Sequence, residues 1–209
     1  MIAYSPYLIL LLPLFAAVLI RLFLHPFPRV STATSITACL LSFVGSLLLL
    51  GSGTPTGGVA APPVPWIEFA GLKANFGLVA DPLARMMAAL VTGVALLVQI
   101  YSVGYVAKDP SRSRFFAELS LFVFSMLGIV FADNLVTMFI FWELVGLSSY
   151  LLIGFWFDRP AAGAAANKAF LVNRIGDFGF ILGILGTWSL FGTIGFADLP
   201  SRASAGAAG

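Results

Sequence analysis

The chain has 209 residues, of which 60% are hydrophobic and only 10% charged, with a net charge of +2 and a mean hydropathy of +1.02. Soluble domains carry about 25% charged residues, so the composition excludes an ordinary soluble fold, and a disordered or collagen-like chain as well. A membrane protein remains. A bilayer core of roughly 30 Å takes about 20 apolar residues per helix, so this hydrophobic stock supplies about six spans and little for an extramembrane domain.

The first span is expected from about Pro6 to Leu24, kinked at Pro13. It has no basic region before its apolar run and reads as a retained span, not a cleaved signal. The second runs from about Ser31 to Leu50. The next thirty residues, with GSGTPTGG and APPVP, are too polar and broken to cross lipid, where each unsatisfied backbone group costs several kcal/mol. They predict a short extramembrane hairpin with Trp66 as an interfacial anchor.

Further spans are expected from about Asp81 to Val106, Phe115 to Ala132, Asn134 to Phe157 and Ala164 to Leu190. AKDPSRSR and DRPAAGAAAN are read as polar loops, and Asp133-Asn134 as a tight break. The fold class is thus an all-α integral membrane protein of about six transmembrane helices. Residues 1–80 form an N-terminal helix pair plus an outer-face hairpin, 81–192 a helix bundle, and 193–209 an outer-side tail whose ASAGAA after Arg202 is small-residue sequence with nothing to pack.

Arg21, Arg29, Lys108, Arg112, Arg114 and Arg159 fall at the odd-numbered connections, whereas Lys73, Arg85 and Arg202 share the opposite side with Glu68, Asp81, Asp133 and Asp198. By the positive-inside rule the odd connections face the cytoplasm and the N-terminus faces outward. These positive charges form no stripe, so no nucleic-acid partner is expected. One cysteine, Cys39, and one histidine, His25, exclude a disulfide framework, a cysteine-held cluster and a His-rich metal site. The twenty phenylalanines read as lipid-facing filler. Gly176 to Gly179 and Gly183 to Gly186 are three-residue steps that signal close helix approach at best. Ser148, Ser149 and Tyr150 either feed a water file below Glu143 or satisfy their own helix.

Three charges lie well inside spans. At 1.5 Å per residue, Glu143 sits roughly 13 to 14 Å into span five, and Arg174 and Asp177 roughly 15 to 20 Å into antiparallel span six. All three therefore reach a similar depth. Arg174 and Asp177 are spaced i, i+3 and lie within ion-pair reach, whereas Glu143 has no partner on its own helix. A charge at the bilayer centre costs about 2.5 to 3.5 kcal/mol by insertion scales, and such groups mark ion pathways. The Arg174 and Asp177 pair also admits a plain reading as a neutralised packing device. Lys168, only about 6 Å into its span, either snorkels to the surface or takes part in the pathway.

The blocks FWELVGLSSYLLIGFW around Glu143 and KAFLVNRIGDFGF from Lys168 to Phe180 closely resemble the L-subunit family of NADH:quinone oxidoreductase, respiratory complex I, the counterpart of mitochondrial subunit 5. The resemblance extends through ADPLARMMAALVTGVALLVQIYSVGYV and fades toward the start. It implies a proton-translocating membrane-arm subunit, with residues 81–192 as an antiporter-like helix bundle. Glu143, Arg174, Asp177 and Lys168 would act in the proton pathway, with Glu143 paired to a lysine of a later broken helix. It also implies that this chain binds no cofactor. NADH, FMN, iron–sulfur clusters and quinone would belong to other subunits, and the partners would be other membrane subunits of the complex, the lipid bilayer and protons. The location would be the bacterial inner membrane. Family members continue well past this length, so the lysine partner would follow residue 209 and no autonomous pumping is expected. The FWEL-type block also occurs in the large subunit of multisubunit cation/proton antiporters, while NRIGDFG speaks for complex I. A non-catalytic assembly module is the remaining alternative.

Overall fold

A computed structural model describes residues 5–52, 59–60, 64–69 and 72–206 of the chain. Six of its helices are long and apolar enough to cross a membrane. Helix α1 (Ser5–Leu19) ends in a π-helical turn over Ile20–Leu24, and α2 follows over Pro28–Gly51. Helices α3 (Pro82–Tyr105), α4 (Arg112–Phe131), α5 (Leu135–Ile153) and α6 (Pro160–Phe191) complete the set.

Local chemistry explains most of the ends. Asp81 caps α3 by accepting from the Ala84 amide at 2.6 Å, with Pro82 in the first turn. Asn134 caps α5 by accepting from the Thr137 amide at 2.9 Å. Gly192, at φ 65°, takes the left-handed position that closes α6. Pro160 opens α6 at its first position, which draws the Ala-rich residues after it into the helix and not into the polar loop expected there. Helix α4 likewise begins three residues before the expected Phe115. Helix α1 continues through the buried Pro13, where a kink was expected, and departs from α geometry only at Ile20–Leu24.

Helix α4 is the most buried of the six and packs against α1, α2, α3 and α5. Ile9, Leu10, Leu127, Phe131 and Phe141 form the main core. Lipid tails are as apolar as these side chains, so close van der Waals fit, not exclusion from water, favours this packing. Phe141 lies where a Cβ on Gly128 would stand, so the α4–α5 approach requires glycine there. Gly176, Gly179, Gly183 and Gly186 instead face open space among the described residues. Phe116, Phe131, Phe141 and Phe155 are at most 3% exposed, which corrects the lipid-facing reading for the phenylalanines of α4 and α5. Their rings meet others edge-on, as Phe141 does with Phe124 at 5.4 Å, an arrangement that fills space between helices better than in lipid.

Neutral polar groups join α2, α3 and α4. The Ser35 hydroxyl lies 2.7 Å from that of Ser120 and 3.2 Å from the Gln99 carbonyl oxygen. Arg112 Nε donates to Thr32 at 2.9 Å and Arg114 Nη2 to the Phe155 carbonyl at 2.5 Å. These contacts gather the odd-numbered connections on one basic face.

On the opposite face β2 (Val64–Phe69) pairs antiparallel with β3 (Leu72–Phe76), and β1 (Val59–Ala60) with β4 (Val79–Ala80). The hairpin is therefore built, with Trp66 largely exposed, while most of GSGTPTGG and APPVP lies outside the described residues. Asn134 Nδ2 donates to the Asn75 carbonyl at 2.7 Å, and Phe76 meets Phe141 at 5.9 Å between ring centroids. Asp133 stands against the Gly77 backbone. Its burial holds its pKa above the usual carboxylate value, partly offset by hydrogen bonds from Asn134 and the Gly77 amide. Arg85, read as a surface charge, is 5% exposed and donates from Nε to the Ala80 carbonyl at 2.9 Å. The tail also holds a short helix, α7 (Leu199–Gly206), where nothing was expected to pack.

Candidate functional site

Helices α5 and α6 pack side by side, and the three deep charges meet between them. Arg174 Nη1 lies 2.5 Å from Glu143 Oε2 and 3.9 Å from Asp177 Oδ2. Glu143 thus has a cation within this chain, supplied from the neighbouring helix. Arg174 and Asp177 lie within ion-pair reach, as their spacing predicts, but Arg174 sits closer to Glu143 than to Asp177. The i, i+3 spacing aligns the two on one face of α6, and the longer arginine reaches across to α5.

Asp177 is 6% exposed and accepts from Trp142 Nε1 at 3.1 Å. This bond holds it whichever way Arg174 points. The guanidinium also lies 5.0 Å from the Phe170 ring centroid, one turn earlier on α6. Glu143 Oε1 is buried without a hydrogen-bond partner. With two carboxylates and one guanidinium the array holds one net negative charge when both acids are ionised. In a medium of low dielectric such an imbalance is costly unless a further positive group approaches.

Lys168 is exposed on α6 and has no ion-pair partner among the described residues. Since α6 starts at Pro160, Lys168 lies eight residues into it, about 12 Å along the axis and deeper than expected. Ser148 donates to the Leu144 carbonyl at 2.8 Å, so its hydroxyl satisfies its own helix. Tyr150 instead turns its ring onto Phe170, 5.5 Å between centroids.

One intramembrane carboxylate escaped the sequence reading. With α4 starting at Arg112, Glu118 lies six residues inside it, not three. Its Oε1 is 3.5 Å from Arg114 Nε, and its Oε2 is buried without a hydrogen-bond partner. The i, i+4 spacing from Arg114 was the available signal. Among the described residues no cluster of His, Cys, Asp and Glu could hold a metal ion.

Comparison with known proteins places these helices. Residues 66–116 match the family model described as NADH-ubiquinone oxidoreductase (complex I) chain 5 N-terminus. Residues 132–208 match that of the NADH:quinone oxidoreductase/Mrp antiporter transmembrane region. The chain is 44% identical over 203 residues to NAD(P)H-quinone oxidoreductase chain 5 of Synechocystis sp., covering 94% of this chain and 30% of that protein. It is 47% identical over 166 residues to NADH-quinone oxidoreductase subunit L of Mycobacterium tuberculosis, covering 78% of this chain and 26% of that one. The chain therefore spans less than a third of these curated relatives.

Two solved structures share the fold. The Mrp complex from Dietzia sp. matches with a TM-score of 0.77 at 23% identity, over 98% of this chain and 22% of that one. The archaeal membrane-bound sulfane sulfur reductase matches with a TM-score of 0.76 at 19% identity, over 93% and 39% of the two chains.

Proposed function

Because the chain belongs to the family of complex I chain 5 (subunit L) and Mrp antiporter membrane subunits, we propose that it is part of a proton-translocating membrane-arm subunit of an NADH:quinone oxidoreductase. The observation that carries this reading is the sharing of Arg174 between two intramembrane carboxylates, Glu143 at 2.5 Å and Asp177 at 3.9 Å.

Glu143 is the proton-carrying group. With Arg174 against it, Glu143 has its counter-ion in place. When Arg174 moves toward Asp177, Glu143 loses its cation and takes up a proton. Trp142 anchors Asp177 for that exchange. The magnitudes suit such a switch. One unit of pKa corresponds to about 1.4 kcal/mol, and moving a proton across half of a 100 mV potential costs about 1.2 kcal/mol. A small displacement of one guanidinium is therefore enough to bias proton movement, and a cation brought in by a neighbouring segment adds to it.

The partners on this reading are the other membrane subunits of the complex, the lipid bilayer and protons. NADH, FMN, iron–sulfur clusters and quinone are handled by other subunits, and Lys168, about two turns into α6, stands between the basic face and Arg174. The basic face lies toward the cytoplasm of a bacterial inner membrane. Complex I is favoured over a cation/proton antiporter by the match of residues 66–116 to the chain 5 model, since the second model is common to both.

The test is Glu143→Gln in the assembled complex, with proton uptake into inverted membrane vesicles recorded during NADH oxidation. Uptake should fall at least fivefold. Undiminished uptake with intact quinone reduction overturns the role given to Glu143.

A further inference from the structure

A cavity of about 660 Å³ opens at the basic face between α1, α4, α5 and α6, and the array of Glu143 and Arg174 does not include it. Its walls are mostly apolar. Arg21, Arg114, Glu118 and Tyr150 supply its polar groups, and α6 contributes only small residues such as Gly163 and Ala166. Resting on the reading of Glu143 above, we propose that this cavity is the proton-uptake vestibule of the array, with Glu118 as the receiving carboxylate and Tyr150 as the relay toward Glu143.

Two buried oxygens without hydrogen-bond partners mark the ends of the route, Glu118 Oε2 at the vestibule and Glu143 Oε1 in the array. An ionised carboxylate oxygen left bare in a low-dielectric site is costly, and either water or a proton relieves it. Arg114 satisfies Glu118 only in part. Its Nη2 is committed to the Phe155 carbonyl at 2.5 Å, and its guanidinium rests 4.8 Å from the Phe155 and 5.0 Å from the Phe157 ring centroid. It can therefore hold Glu118 near the mouth without filling both of its oxygens.

Between the two carboxylates the spacing on α5 is favourable. Tyr150 follows Glu143 by seven residues, close to two turns, so both lie on one face of the helix. Gly146 lies between them on that face, and a Cβ there would meet nothing within 4 Å. That position is unfilled among the described residues, and the proposed water file would run along it between Tyr150 and Glu143. From the other side, Tyr150 meets Phe170 edge-on, and the Phe170 ring also carries Arg174.

The proton balance is simple. A proton from the aqueous basic face binds Glu118 and forms the carboxylic acid. The acid passes it to the Tyr150 oxygen as the tyrosine O–H proton leaves toward water beside Gly146. That water protonates Glu143 Oε1, and Glu118 returns to carboxylate. No electron moves and no bond other than O–H changes.

The groups that face Glu118 are Arg114 on its own helix, Arg21 on the π-helical turn of α1 and Tyr150 on α5. Helix α6 adds no charge to the cavity, and neither do α2 and α3, which bring no residue to its lining.

The experiment uses the assembled complex in inverted vesicles, with Glu118→Gln, Glu118→Asp and Gly146→Leu compared across pH 6 to 9. Glu118→Gln should slow proton uptake at least fivefold, most strongly at alkaline pH where free protons are scarce, and Glu118→Asp should restore most of it. Gly146→Leu removes no titratable group and its Cβ meets nothing within 4 Å, yet it should slow uptake similarly by filling the space beside Glu143 and Tyr150. Native uptake and a native pH profile in Gly146→Leu overturn the route even where Glu118→Gln fails to assemble. Loss of uptake in Glu143→Gln, with native behaviour in both Glu118→Gln and Gly146→Leu, sinks the vestibule alone. Native behaviour in all three places the fault in the reading of Glu143. Native uptake with a phospholipid retained by the purified complex and released by Arg21→Gln assigns the cavity to a lipid and overturns the proposal.

Discussion

The helices around α4 and the pair α5–α6 handle buried polarity in opposite ways. Around α4 the buried polar groups are mainly hydroxyls and an amide, the Arg114–Glu118 pair at its basic end excepted. Ser35, Gln99 and Ser120 bond to one another, and Ser42 donates to the Ile9 carbonyl at 3.0 Å across to α1. Such neutral bonds cost little to bury and join helices by short-range fit. Between α5 and α6 the polar groups are titratable side chains, and the half-exposed Arg174 is shared between Glu143 and the more deeply buried Asp177. Helix α6 is also the least buried of the six, whereas α4 is the most. The first region is a scaffold whose value lies in holding still. The second keeps an unbalanced charge that a proton or a small side-chain movement can alter.

The scaffold should be the more sensitive to volume. Gly128→Leu drives a side chain into Phe141, a ring already held by Phe76 and Phe124. It should destabilise the α4–α5 contact by about 3 kcal/mol, the upper end of ordinary overpacking. Thermal unfolding of the detergent-solubilised protein would show this as a lowered midpoint. Gly176→Leu, which faces open space on α6 among the described residues, should leave the midpoint of the same chain nearly unmoved. Equal losses in the two variants would break the distinction between the regions.

How much of this was legible beforehand follows the same division. The six spans, the hairpin and the shared depth of Glu143, Arg174 and Asp177 all rest on periodic or one-dimensional quantities, length, hydropathy and rise per residue, which a sequence displays. The pairing of Arg174 with Glu143 was not legible, because it depends on how α5 and α6 rotate about their axes. Glu118 was missed through a helix end misplaced by three residues, enough to make an interior carboxylate look like an interfacial one. The inward Phe116, Phe131 and Phe141 were misread for a related reason. Phenylalanine is equally at home in lipid and in a helix interface, and hydropathy does not separate the two.

The charged pair should show coupling that the neutral bonds lack. In a double-mutant cycle of Glu143→Gln and Arg174→Met, the interaction should amount to about 1 kcal/mol, as befits an ion pair whose arginine is half exposed. Denaturant unfolding of the four chains measures it. Strict additivity would mean that the 2.5 Å contact contributes no stability. An effect of similar size is expected of Trp142→Phe, which removes the 3.1 Å bond to Asp177 and should cost about 1 kcal/mol.

The smallest effect expected lies where the two regions join, at Asp133 between α4 and α5. Its pKa is raised, chiefly by burial against Gly77. A carboxyl with a raised folded pKa stabilises the fold below its ordinary pKa, and that contribution is lost as pH rises through the raised value. Docking of the β3 end onto the α4–α5 turn should therefore be tightest below the ordinary carboxylate value and loosen as pH rises through the raised one. The change is modest because hydrogen bonds from Asn134 and the Gly77 amide oppose the burial. Hydrogen exchange at the Gly77 and Leu78 amides, corrected for intrinsic rates, would register it as protection falling with rising pH. Asp133→Asn keeps an acceptor for Gly77 but cannot ionise, so its protection should be flat across the same interval. A native chain with equally flat protection would show that the junction does not feel the charge, and that the scaffold and the charged pair are joined by packing alone.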